Sequence, residues 1–344
     1  MPASAKKRAL IVIAVLVCVA AAGAGVYFYR LHRPLAGANA GTAPDLLSQL
    51  PSGAPAIAYI DVAALRKLQG SQLAAVLGLT GADPHEDREY ADFVRDTGFD
   101  YARDLDRAAI AIWPASLLAA PGGSGSTEVL AIADGRFDEP KIEAYALRTG
   151  KVVTRGTQSF YEVPGNPPVS FAFLSPTRIV LTNTKDGGVL APNPSATDQA
   201  MRERIERVAG APIFAVARTD TLPNSFYANF KNAPQFEHLA RSVQGLTLAG
   251  QPEGDQIHVA VDAECDSMKN ALELSTLLDG FRMFGSMALS DPKARGKMTK
   301  EQAAFLIALA SRVKVTNQDH WVRLTLDVTP DMLAPARPSH ADPR

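Results

Sequence analysis

The chain has 344 residues, 47% hydrophobic and 21% charged, which excludes a disordered protein and allows one large or two ordinary domains. Its 35 Lys and Arg balance 36 Asp and Glu for a formal net charge of −1, with no basic stripe, so nucleic acid is not expected as a partner. Cys18 and Cys265 are the only cysteines, one in an N-terminal apolar run and one in globular sequence, which leaves no disulfide framework and no cysteine zinc site.

Residues 9–29 carry no charge, and these 21 residues match a bilayer's hydrocarbon thickness of roughly 30 Å at about 1.5 Å rise per residue. The segment is read as a transmembrane helix. Lys6, Lys7 and Arg8 precede it, while Arg30, His32 and Arg33 follow, a bias that places residues 1–8 in the cytoplasm as a short stub. Tyr27, Phe28 and Tyr29 suit the outer interface. Ala22-Gly23-Ala24 also fits a signal-peptide cleavage site, and the length and aromatic end of the run favour retention over cleavage. Val17 before Cys18 is too large for a lipoprotein signal. Residues 30–44 are rich in Gly, Ala and Pro and read as a flexible linker.

A strand is expected near Ile57. Asp83-Pro84-His85-Glu86 then combines a cap, a first-turn proline and a capping-box glutamate ahead of Tyr90, Phe93 and Val94, with Gly98 as the helix stop. Strands follow at Ala108–Trp113 and Val129–Asp134, separated by a Gly- and Ser-rich loop over 119–126, and Asp138 caps the next helix. Residues 159–163 and 169–174 form a hairpin. Met201, Ile205 and Val208 make a helical stripe ending at Gly210. Strands near Ile213 and at 245–248 lead to a turn-like Gly250-Gln251-Pro252-Glu253-Gly254, a strand at 257–262 and a helix capped by Asp266, with Met268, Leu272, Leu274, Leu278 and Phe281 on its core side. Thr299-Lys300-Glu301-Gln302 repeats the capping box before Phe305, Leu306 and Leu309. Residues 313–315 and 321–326 close the chain as a hairpin, and residues 334–344 read as a disordered tail. These elements indicate an α+β fold with largely antiparallel sheets and helices packed on them.

Ala54-Pro55-Ala56-Ile57-Ala58-Tyr59 resembles Ala211-Pro212-Ile213-Phe214-Ala215-Val216, and Val129 to Asp134 resembles Ile257 to Asp262. Two weakly related tandem repeats are therefore expected, over residues 45–194 and 195–333. Leu50-Pro51, Thr97-Gly98-Phe99-Asp100, Asp104-Leu105-Asp106 and Gly135-Arg136-Phe137-Asp138 together give residues 45–190 their character. In these segments the chain resembles a loose group of bacterial membrane-anchored proteins of unknown function. That resemblance implies an envelope location and brings no catalytic residue with it.

Few residues invite chemistry. The run Gly122 to Ser126 sits in a Gly/Ser loop, not on the strand-to-helix elbow that a hydrolase serine needs. Ser290-Asp291-Pro292-Lys293 has Ser-x-x-Lys spacing, but Pro292 breaks the turn that should bring the lysine over the hydroxyl. His85-Glu86 lacks a second histidine one turn on, where Glu89 stands, and His32, His85, His238, His258, His320 and His340 are scattered. Asp100, Asp104 and Asp106 read as cap and turn acids because a calcium loop's glycine is missing. Thr184-Lys185-Asp186-Gly187-Gly188 has turn composition and no phosphate-loop spacing. Cys265, aligned with Phe137, reads as a buried small hydrophobe, and Asp134 and Asp262 as strand-end acids whose function depends on a shared cleft. No catalytic, cofactor-binding or metal-binding residue is therefore assigned, and no cofactor is expected. The expectation is a single-pass inner-membrane protein with a periplasmic or extracytoplasmic globular part and a non-enzymatic scaffold or binding role. Its partners would be the membrane, through residues 9–29, and an envelope protein, lipid or polymer. A hydrolase or transferase with a dispersed site, and a lipophilic-ligand carrier, are the alternatives.

Overall fold

The structure is a computed structural model that describes residues 43–51, 53–68, 88–113, 127–155, 158–164, 168–183, 199–220, 234–290, 311–329 and 332. The stub, the apolar run 9–29, residues 30–42 of the linker, the tail, the two capping boxes at 83–86 and 299–302, and the loop 119–126 lie outside these residues.

In chain order the described elements are α1 (Ala43–Leu47), β1 (Ala56–Asp61), α2 (Val62–Leu65), α3 (Arg88–Thr97), α4 (Tyr101–Asp104), β2 (Leu105–Trp113), β3 (Glu128–Gly135) and α5 (Glu139–Thr149). They continue with β4 (Lys151–Arg155), β5 (Gln158–Val163), β6 (Val169–Ser175), β7 (Arg178–Thr182), α6 (Gln199–Val208), β8 (Ile213–Arg218), α7 (Pro234–Ser242), β9 (Val243–Glu253), β10 (Gln256–Cys265), α8 (Met268–Ser290), β11 (Lys314–Gln318) and β12 (Trp321–Val328). Local chemistry sets several ends. Asp61 accepts from the Ala64 amide at 2.7 Å to start α2, and Asp138 accepts from Lys141 at 3.3 Å to start α5. Gly98 stops α3 at φ +74°, with its amide on the Val94 carbonyl. At α8 the cap is Ser267 and not Asp266: the Ser267 hydroxyl accepts from the Asn270 amide, while Asp266 steadies the Ser267 hydroxyl and the Asn270 side chain.

The fold is α+β, built on one 12-stranded sheet in the order β11-β12-β10-β9-β8-β1-β2-β3-β7-β6-β5-β4. Each of its ladders is antiparallel. One continuous sheet thus takes the place of the separate sheets expected from sequence. β1-β2-β3 and β8-β9-β10 are meanders that meet along β1 and β8, and each is followed by a helix and then by strands that return beside its third member. At the junction Ala58 pairs with Ala215, flanked by Ile57 with Val216 and Tyr59 with Phe214. Tyr59 and Phe214 stack at 5.1 Å.

Strand alternation divides the core. On one face Ile57, Tyr59, Ala109, Leu130, Ile132, Val180 and Phe214 lie under α1 and α6, which contribute Leu46, Met201 and Val208. On the other face α2 and α5 cover Leu105, Ala133, Phe171 and Ile179, while α7 and α8 cover Val243, Ala263, Cys265 and Val322. Burying each large side chain contributes about 1.5–3 kcal/mol.

The turn expected at 250–254 is mostly strand, since β9 runs to Glu253 and turns at Gly254, φ +60°. The β8 ladder ends at Gly250, so Pro252 borders β10 alone, the edge setting that tolerates a missing amide hydrogen.

Candidate functional site

Two strand ends carry acids beside matching irregularities in the ladder, Asp134 buried and Glu264 partly so. β3 pairs Asp134 with Arg107 and Gly135 with Leu105, skipping Asp106; β10 pairs Glu264 with Gly245 and Cys265 with Val243, skipping Gln244. Position relative to the bulge therefore matches Asp134 with Glu264 and Gly135 with Cys265, two residues away from the match of Asp134 with Asp262 that sequence suggests. The period of two keeps both candidates on one face, which is why the slip leaves the hydrophobic pattern intact.

Each acid receives an arginine, from a different place. Asp134 accepts from Arg178 on β7 at 2.6 Å and from Arg107 on β2 at 2.9 Å. Burial alone raises this carboxyl, but the Arg178 hydrogen bond and charge, with Arg107 beside it, outweigh burial and hold it below the usual carboxylate value. Glu264 has no strand arginine opposite, because Gly245 stands there. The empty space admits Arg204 from α6, whose Nε donates to Glu264 at 2.7 Å, and a Cβ on Gly245 would overlap that guanidinium.

Beyond this layer the two ends of the sheet differ. The β3–β7 ladder places Ile132 against Val180, both fully buried, where the β10–β12 ladder places Asp262 against Arg323. Arg323 donates to Asp262 through Nε at 2.6 Å and Nη2 at 2.8 Å. Asp134 and Asp262 thus sit in separate ion pairs five strands apart. Farther along the same face His258 holds its Nδ1 2.5 Å from Asp327, and its Nε2 meets Glu253.

That polar strip ends in a groove of about 710 Å³ at the rim of the sheet, lined among the described residues by Gln256, Asp279, Arg282, Ser311, Arg312, Val313, Lys314, Val315, Asp327 and Thr329. Arg282 and Asp279 come from α8 and pair at 2.7 Å, and Arg312 donates to the Thr329 hydroxyl at 2.5 Å. Lys314 opens the edge strand β11 and is exposed. Charged side chains on an edge strand also discourage pairing with another sheet. Among the described residues no three His, Cys, Asp or Glu side chains are grouped to hold a metal ion.

The acids singled out by sequence have local tasks. Asp100 caps α4, accepting from the Ala102 amide at 3.0 Å, and Tyr90 donates to the same carboxylate at 3.1 Å. Asp104 is raised by burial, and hydrogen bonds from Arg103 and the Asp100 amide bring it below its ordinary value. Asp106 pairs with Arg66 at 2.7 Å. Cys265 is buried against Leu239 and Ala271, and burial pushes its thiol up, away from the reactive thiolate. His238 is exposed, and His320 lies 5.4 Å from the Trp321 ring. His32, His85, His340, Lys293 and the turn 184–188 fall outside the described residues. Sequence reasoning missed Arg204, Arg323 and the groove, because their partners lie about 60 residues away along the chain.

No family model matches the chain, and no curated protein does. Solved structures do. The chain is similar to crystal form IV of TP0453 with a TM-score of 0.46 and 10% identity, over 85% of this chain and 96% of that one. Crystal form III of TP0453 gives a TM-score of 0.47 at 11% identity over 84% and 96%, and form I gives 0.43 at 12% over 84% and 95%. Among the described residues no helix is long and apolar enough to cross a membrane.

Proposed function

We propose that this protein is a membrane-tethered extracytoplasmic protein of the bacterial envelope with a non-enzymatic scaffold or binding role. The observation that carries the reading is the uncharged run of residues 9–29, long enough to span a bilayer and joined by residues 30–44 to a folded α+β body. The buried acids of that body support it: Asp104, Asp134 and Asp262 are each held by arginines in structural pairs. On this reading the groove at the β11 edge is the binding place and the rest of the sheet is its frame.

We further propose that residues 45–194 and 195–333 are two repeats. The self-matched pair Ala58–Ala215, the two meanders meeting there and the paired bulges at Asp134 and Glu264 support that view. The second repeat then has an ion pair, Asp262–Arg323, where the first has the apolar contact Ile132–Val180, and the groove lies at the end of the repeat that has become polar.

The test of the tether is truncation. Without residues 1–33 the chain is expected to purify without detergent as a folded monodisperse species, with the full chain needing detergent. A truncated chain that precipitates, or a full chain that is soluble alone, contradicts the tether.

A further inference from the structure

We draw no further inference here: the strongest candidate, the exposed apolar patch that Met268 and Leu272 form on the first turns of α8, is a helix face for which nothing in the structure shows what covers it.

Discussion

Asp134 sits among Arg107, Arg178 and strands buried on both sides, and its ionised form is what those arginines hold in place. Removing the charge leaves two partly buried guanidiniums without the shared carboxylate that neutralises them, so Asp134→Asn should cost about 2–3 kcal/mol, below the range for fully buried pairs because both arginines retain some water contact. The sign of the pH effect follows from the lowered carboxyl. Its contribution is complete above the unfolded value of about 3.9 and is lost as pH falls through the lower folded value. Denaturant melts of wild type and D134N should therefore differ at neutral pH and converge in acid; a gap that persists below the folded value contradicts the pairing. The acid was visible in the sequence as a strand-terminal residue. Its arginines were not, since Arg107 and Arg178 reach it only through the ladder.

Helix α6 meets the sheet through a gap. Gly245 leaves out a side chain on β9, Arg204 fills the space, and Glu264 on the next strand fixes the guanidinium. Gly245→Ala should push Arg204 off Glu264 and destabilise the protein by about 1–3 kcal/mol, the usual cost of overpacking. In a double-mutant cycle with Arg204→Ala, the second substitution should add much less than its single effect, read by denaturant melts. Additive costs would show that helix and strand do not meet through this residue. Among the elements, the helical stripe of Met201, Ile205 and Val208 and the alternation in β12 were legible because each buries one side. Strands β4 and β7 escaped notice, being five residues each with charged first residues at Lys151 and Arg178. Gly250 and Pro252 read as a turn because their composition is that of a turn; the strand continues through them because the β10 ladder does.

Across the whole molecule, the repeat similarity around Ile57 and Phe214 pointed to the strands that form the centre of the sheet. What composition cannot show is that β1 and β8 join side by side into one sheet, because the junction depends on pairing between residues about 157 positions apart in the chain. The polar strip from Glu264 to His258 and the groove beyond it were likewise invisible, each assembled from segments that meet only after folding. The proposed location rests on a different kind of signal, the uncharged run of residues 9–29, which has the length a bilayer span needs.

Cell fractionation with protease access tests that location most directly. In a Gram-negative host the full chain should stay with inner membranes through alkaline carbonate extraction, be released by detergent, and lose its folded part to protease added to spheroplasts. Recovery of the intact chain in the cytosolic fraction, or its full protection from protease until the inner membrane is dissolved, would contradict a tethered extracytoplasmic protein.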